Sequence, residues 1–263
     1  MAEFAGTESQ VCLQKRLRDR QPWVDATPGV ANGGRLLHFV EPESVGWDTV
    51  RKLAEEDGLV GFPGVDEKQA IAEINAQLGA DWETPFWMAF IGAPDEVLPA
   101  CDRVIGDVAL PDGWRIDAFK APDDAQLSAI QALNTQTGVA PYPAYYSRSE
   151  AVPVVTVCIS DAAGELVATA AASNRYHPQC RLAGCTFAGM VSVAPSHQGR
   201  GLGKLVNALM LARSHDLFSW SMIKEQVSPD NAVSQAMIRA CGLAHSTGYV
   251  SIAAVKSGET FTR

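Results

Sequence analysis

One stretch of sixteen residues, from Gly189 to Lys204, constrains the fold of this chain more than any other. It begins with alternating apolar residues that predict a strand. Pro195 ends that strand because proline has no backbone N–H to donate to a sheet. Three glycines follow at every second position, and an apolar stripe of helical spacing then starts. The sequence therefore predicts a strand, a glycine-rich turn and a helix in immediate succession.

The three glycines, at positions 199, 201 and 203, make the turn a candidate anion-binding site. Glycine adopts positive φ at little cost, and a helix N-terminus presents free N–H groups to a ligand. Each charge-assisted hydrogen bond contributes about 1.5–3 kcal/mol, whereas the helix dipole contributes only about 0.3–1 kcal/mol. Arg200 and Lys204 add positive charge at the same place. A phosphate-binding loop is expected, although neither Gly-x-Gly-x-x-Gly nor Gly-Lys-Ser/Thr occurs here.

The order Val193-x-Pro195-x-x-Gln198-Gly-Arg-Gly-Leu-Gly203 resembles the acetyl-CoA diphosphate loop of the GNAT (Gcn5-related) N-acetyltransferases. A second match follows, where Asn231 precedes a helix that ends in Gly242-Leu243. In this family such an asparagine contacts the pantetheine arm, but Asn231 is also a good helix N-cap. The resemblance implies acetyl-CoA as co-substrate, with contacts at Val191, Val193, Gln198, Gly199, Arg200, Gly201, Leu202, Gly203, Lys204, Asn231 and Ser234.

The predicted elements from Trp114 onward follow the GNAT order: strand, helix, three strands, helix, strand, helix, strand. We therefore expect an α/β (α+β) GNAT fold over residues 114–263, with a mixed, largely antiparallel central sheet flanked by helices. Its fifth strand is predicted over residues 218–227. Residues 35–113 predict a smaller α/β domain, for which a degenerate GNAT-like half is one option. Residues 1–34 show little periodicity and are expected to be an N-terminal arm.

The resemblance implies direct transfer of an acetyl group from a thioester to a primary amine. A backbone N–H on the strand from Met190 to Val193 would stabilise the developing oxyanion. An alkyl amine is mostly protonated at neutral pH, so a base must remove a proton. Glu225, expected to face the substrate channel, is the first candidate for this base, and His177 is the second.

The acid that protonates the leaving thiolate is harder to assign. In the family it is a tyrosine seven residues after the asparagine, and this chain has Ile238 there. Three explanations stay open. Another phenol substitutes, from Tyr176, Tyr145 or Tyr146; the thiolate leaves without help; or the protein binds a CoA thioester without turning it over.

The composition of the chain limits the classes of partner that we expect. The net charge of −9 argues against nucleic acid and slightly favours a cationic acceptor such as an amine. No apolar run approaches the roughly 20 residues that span a bilayer, and the polar N-terminus lacks the apolar core of a signal peptide, so no membrane and a cytoplasmic location are expected. The six cysteines are expected to be reduced. The spacing of His177, Cys180 and Cys185 fits no zinc pattern, so no metal is expected.

The resulting prediction is an acetyl-CoA-dependent N-acetyltransferase acting on a primary amine, with a small-molecule acceptor favoured. Two alternatives stay open. One is a catalytically silent CoA-binding or regulatory module, and the other is a protein N-terminal or lysine acetyltransferase. The sequence does not fix the oligomeric state, and a homodimer is compatible with it.

Overall fold

The structure, a computed structural model, describes residues 3–258. The elements before residue 114 are α1 (Glu8–Asp19), α2 (Gln21–Asp25), β1 (Val30–Asn32), β2 (Leu37–Phe39), α3 (Pro42–Val45), α4 (Trp47–Asp57), β3 (Leu59–Val65), α5 (Glu67–Leu78), β4 (Trp82–Glu83), β5 (Phe86–Gly92) and α6 (Pro94–Asp107). Those after it are β6 (Arg115–Phe119), α7 (Asp124–Gln136), α8 (Ala144–Ser147), β7 (Val154–Ser160), β8 (Leu166–Ser173), β9 (Cys185–Val193), α9 (Leu202–Phe218), β10 (Met222–Val227), α10 (Ala232–Ala240) and β11 (Ala244–Lys256).

All of these strands belong to one mixed sheet, in the order β1-β2-β3-β11-β5-β10-β9-β8-β7-β6, with β4 paired to β11. Only β2 with β3 and β9 with β10 pair in parallel among the described residues. The expected mixed, largely antiparallel sheet flanked by helices is confirmed, and so is the element order after residue 114, apart from the short helix α8, which the predicted order does not contain. The predicted start of the fifth strand at residue 218 is wrong, because α9 continues to Phe218 and β10 begins at Met222.

The two parts of the chain are interleaved in this sheet. Strand β5 pairs with β10 on one side and with β11 on the other, so a strand from the first part lies between two strands of the second. Strand β11 in turn lies between β5 and β3. The predicted boundary between residues 113 and 114 therefore divides the chain but not the sheet.

The expected N-terminal arm is wrong for residues 8–32, which form α1, α2 and β1. Helix α1 begins at a capping box formed by Thr7 and Gln10, and it buries Leu13 and Leu17 in the core of the first part. Buried Asp57 holds the segment through ion pairs to Arg16 and Arg20. The helix escaped prediction because it is mostly polar, and two core residues do not make a recognisable apolar stripe.

The sheet has two differently covered faces. On the first, which we call the α9 face, α6, α9 and α10 close the largest hydrophobic core over Val157, Ile223 and Ile238. On the second, the α7 face, α7 and α8 pack on β7 to β9 together with Tyr142, Tyr145 and Tyr146. No helix within residues 3–258 has both the length and the apolar character needed to cross a bilayer.

Candidate functional site

The parallel strands β9 and β10 part shortly after they meet. Their register covers three residue pairs and ends at Lys224 opposite Phe187. Beyond that pair, β9 stays bonded to β8 up to Val193, and β10 stays bonded to β5 up to Val227. A V-shaped opening therefore separates the ends of β9 and β10, and backbone groups that face it are free for a ligand. We call this gap the splay.

A β-bulge in β9 lies beside the splay. The register with β8 shifts by one residue between Thr169 and Ala171, and Met190 adopts φ 56°. This left-handed conformation costs a residue other than glycine about 1–2 kcal/mol. The bulge turns Met190 to the tyrosines of the α7 face, while Val191 packs on the core of the α9 face. Bulges recur next to active sites because they redirect side chains and interrupt the ladder.

The glycine-rich turn leads from the splay into α9. Gly199 and Gly201 have φ of +75° and +81°, values that require glycine, whereas a Cβ at Gly203 would make only ordinary contacts of 3.6 and 3.7 Å. Within residues 3–258, the backbone N–H groups from 199 to 204 meet no hydrogen-bond acceptor. Gln198 Nε2 donates to the Val193 carbonyl at 3.2 Å and ties the turn to β9.

The charged residues of the turn are also free. Arg200 and Lys204 are exposed, and neither forms an ion pair with any described carboxylate. The turn thus presents a row of amide donors and two unpaired cations at the N-terminus of a 17-residue helix. This arrangement matches what an anionic diphosphate requires.

The other predicted cofactor residues border the same region. Val191 and Val193 are partly buried on the α9 face, and Leu202 is buried at the start of α9. Asn231 is exposed and caps α10, because its Oδ1 accepts the Ser234 N–H at 3.0 Å. The N-cap role expected for Asn231 is confirmed, and its contact with pantetheine stays a prediction.

The structure corrects the expected orientation of Glu225. The side chain is 2 % exposed and lies on the α9 face, where Oε1 accepts a hydrogen bond of 2.8 Å from Asn207 Nδ2. Burial raises the pKa of this carboxyl to about 7, against the opposing effect of the Asn207 hydrogen bond. Its neighbours are the core helices rather than a channel, so Glu225 is poorly placed to take a proton from an acceptor.

Tyr176 and His177, the other predicted catalytic residues, follow β8. The Tyr176 hydroxyl is buried without a hydrogen-bond partner, and burial raises its pKa. His177 is partly exposed, and its Nδ1 accepts the Gln179 N–H at 3.1 Å. Tyr176 packs with Phe187, whose ring lies on the face opposite Glu225, so the structure does not bring the predicted catalytic residues together.

The other two candidate acids, Tyr145 and Tyr146, form hydrogen bonds with the first part of the chain. Tyr146 donates to the Asn32 carbonyl at 3.2 Å, and Tyr145 donates to the Gln14 carbonyl at 3.4 Å. Burial raises the pKa of both, that of Tyr145 to about 12. These two tyrosines fasten the first part of the chain to the α7 face. Ile238, which stands where the family has its tyrosine, is buried in the core of the α9 face.

Lys224 is a site residue that the sequence reasoning missed. It is 2 % exposed, lies at the last residue pair before the splay, and donates from Nζ to Ser251 Oγ at 2.7 Å. Burial lowers its pKa to about 7, and Arg175 and Arg181 act in the same direction. The sequence carried a signal, since Lys224 lies next to Glu225 within a predicted strand, and lysine is almost never fully buried in a strand unless it is paired.

A small cavity lies at the splay, between the two parts of the chain. Its volume is about 30 Å³, enough for more than one water molecule. It is lined by Gly33, Arg35, Leu36, His38, Gly61, Phe62, Pro63, Trp87, Arg175, Phe187, Gln226, Ser251, Ile252 and Ala253. Phe187 and Gln226 come from the two strands that part, so the cavity opens at the splay.

Comparison with known proteins agrees with this geometry. Residues 126–243 match the model of the acetyltransferase (GNAT) family. A GCN5-related N-acetyltransferase from Kribbella flavida shares the fold, with a TM-score of 0.57 and 20 % identity over 88 % of this chain and 79 % of that one. A Drosophila protein has a TM-score of 0.56 and 14 % identity, covering 94 % and 89 % of the two chains.

A tandem GNAT protein of the clavulanic acid biosynthesis pathway has a TM-score of 0.53 and 16 % identity, covering 87 % of this chain and 78 % of that one. A search of curated proteins found no significant match. The fold is thus that of the GNAT N-acetyltransferases. Residues 126–243 of this chain carry a GNAT acetyltransferase domain.

Proposed function

We propose that the protein transfers the acetyl group of acetyl-CoA to the primary amine of a small molecule, by direct attack of the amine on the thioester. One observation carries this proposal: the splay between β9 and β10 opens beside the turn whose amides, from 199 to 204, are unpaired. A diphosphate held by the turn would leave the attached thioester arm free to enter the splay.

The residues present fit acetyl-CoA. The amides and the cations Arg200 and Lys204 suit a diphosphate, and the absence of side chains at Gly199 and Gly201 lets a ligand approach the backbone. Val191 and Val193 would line the arm, and exposed Asn231 would contact it with its amide. When bound, acetyl-CoA supplies the activated acetyl group.

A backbone N–H and two side chains near the splay would catalyse the transfer. A free backbone N–H of β9 near the Met190 bulge would stabilise the oxyanion of the tetrahedral intermediate. Lys224 lies at the mouth of the splay, and its lowered pKa keeps a neutral fraction that can accept a proton from the amine at neutral pH. Tyr176, whose buried hydroxyl lacks a partner, would donate a proton to the leaving thiolate.

A small acceptor is favoured because the first part of the chain covers the α7 face. The Gly33-Gly34 turn packs so tightly there that a Cβ at Gly34 would come within 2.8 Å of the Tyr142 ring and 2.9 Å of the Tyr146 ring. The cavity behind this turn, about 30 Å³, has room for a small polar group only, which argues against a polypeptide acceptor. All six cysteines are free thiols, which favours a reducing compartment such as the cytoplasm.

One observation supports a second candidate, a catalytically silent CoA-binding module. Ile238 is an aliphatic core residue, so the described residues offer no phenol at the position where the family has its acid. Turnover distinguishes the two functions. Isothermal titration with acetyl-CoA and CoA measures binding, and thiol release with a panel of primary amines measures transfer.

A pair of variants tests the turn itself. Gly201→Glu places a carboxylate beside the expected diphosphate, and Gly138→Glu adds the same charge at a matched φ of +77° elsewhere. We expect Gly201→Glu to weaken acetyl-CoA binding at least tenfold and Gly138→Glu to change it less than twofold. Full affinity in Gly201→Glu would exclude the turn as the diphosphate site. Binding without turnover of any amine would favour the silent module.

A further inference from the structure

The cavity at the splay carries positive charge that no described acidic group balances. Its lining includes Arg35, His38 and Arg175 but no aspartate or glutamate. Lys224 lies next to it, bonded to Ser251 of the lining. None of Arg35, Arg175 and Lys224 forms an ion pair with any carboxylate of residues 3–258.

Arg175 is a buried member of this group of side chains. The residue is 6 % exposed, its guanidinium lies 3.8 Å from the centre of the Phe187 ring, and its buried Nε has no hydrogen-bond partner among the described residues. Arginine cannot lose its proton in a protein, so this charge persists. A buried charge without a counter-ion is costly and is characteristic of a site that binds one.

Arg181 shows how this chain satisfies a structural arginine nearby. Its Nε, Nη1 and Nη2 donate to three backbone carbonyls at 2.6–2.8 Å. Arg35, by contrast, has a buried Nε without a partner within residues 3–258, and its Nη1 makes a long hydrogen bond of 3.5 Å to the Ala140 carbonyl. Arg181 thus uses its Nε in the structure, whereas the buried Nε groups of Arg35 and Arg175 meet no acceptor among the described residues.

His38 shows the effect of the same unbalanced positive charge. Its Nδ1 is buried without a partner, and burial, together with Arg175, Lys224 and Arg35, holds its pKa well below the usual value. Its ring is fixed in place, because a Cβ at Gly33 or Gly61 would come within 2.7 or 2.3 Å of it. The site is therefore a rigid, partly assembled cradle for a negative group.

We propose that the acceptor is an amine that also carries a carboxylate, such as an α-amino acid, and that Arg175 and Arg35 bind this carboxylate. The inference rests on the proposed acyl transfer. Planar guanidinium groups recognise carboxylates through paired hydrogen bonds, and the small cavity suits a carboxylate better than a larger anion. Because Phe187 and Gln226 join the cavity to the splay, a carboxylate held there leaves the amine of the same molecule close to the thioester.

Matched acceptors test this proposal kinetically. Thiol release is measured with L-leucine against L-leucinamide and with L-phenylalanine against L-phenylalaninamide. We expect kcat/KM to be at least tenfold higher for each amino acid than for its amide. Arg175→Met should lower kcat/KM about ten- to hundredfold for the two amino acids and leave it unchanged for the two amides. Arg213→Met, which removes an exposed arginine of α9, is the control and should change neither. Equal rates for acid and amide, or an equal loss in Arg175→Met, would overturn the proposal.

Binding without acetyl-CoA separates this proposal from the proposed enzyme. Isothermal titration compares N-acetyl-L-leucine with N-acetyl-L-leucinamide on the wild-type chain and on Arg175→Met, with Arg35→Met as the second variant if the first does not fold. Preference for the anionic compound, lost in the variant, supports the carboxylate site even if no amine is turned over. No preference overturns the site, and turnover of neutral amines would then leave acyl transfer standing.

Discussion

Glu225→Gln should make the stability of the protein less dependent on pH. The buried carboxyl has its pKa raised from 4.5 to about 7, so between these values the folded state binds more protons than the unfolded state. The free energy of unfolding then falls as the pH rises through this window, and the loss is complete above about pH 7. At 1.36 kcal/mol for each pKa unit, a difference of about 2.5 corresponds to roughly 3 kcal/mol.

Glutamine cannot ionise and retains an oxygen for the Asn207 hydrogen bond. We therefore expect Glu225→Gln to match the wild type near pH 4.5 and to exceed its stability by up to about 3 kcal/mol at pH 8. Urea unfolding followed by tryptophan fluorescence at several pH values gives the difference between the two proteins, which cancels contributions from other groups. Glu83→Gln, an exposed change on β4, is the control, and its difference in stability from wild type should not change with pH.

A difference between Glu225→Gln and wild type that does not change with pH would refute this reasoning. The same variant also tests the role that the sequence predicted for Glu225. Because the carboxyl faces α9 rather than the splay, we expect thiol release by Glu225→Gln to stay within about threefold of wild type, whereas loss of a general base costs about 10²–10⁴-fold.

Three other predictions concern the N-terminal segment, the base and the turn. Leu17→Ala should cost about 2–5 kcal/mol of unfolding free energy, because Leu17 is fully buried, while exposed Val233→Ala stays within about 0.5 kcal/mol in the same urea titration. In Lys224→Met, the rate of thiol release should fall about a hundredfold. In wild type we expect this rate to rise with pH and to level off above about pH 7, and the variant should lose that rise. An unchanged pH profile would exclude Lys224 as the base. Gly199→Ala should cost about 1–2 kcal/mol because of its positive φ, whereas thermal unfolding of Gly203→Ala should show no loss.

The sequence predicted well what local patterns determine. The φ values of Gly199 and Gly201, the unpaired amides and the cap at Asn231 all depend on residues within a few positions of each other. The element order after residue 114 likewise follows from periodicity and from proline and glycine positions.

What the sequence did not predict depends on contacts between distant residues. Arg35 and Arg175 are 140 positions apart and meet only because β5 and β11 bring the two parts of the chain into one sheet. Glu225 was given the wrong face because alternation along a strand fixes which residues share a face but not which face meets the site. Its neighbour Lys224 has the orientation that was expected of Glu225.

The position of β11 has a consequence for how the chain folds during synthesis. This strand, Ala244–Lys256, fills the gap between β3 and β5, so the first half of the protein has an incomplete sheet until residues 244–256 have been made. Two strand edges with unpaired backbone groups therefore stay exposed on the nascent chain. We expect productive folding only after β11 has left the ribosome, and we expect truncation before Ala244 to yield aggregates rather than a stable fragment.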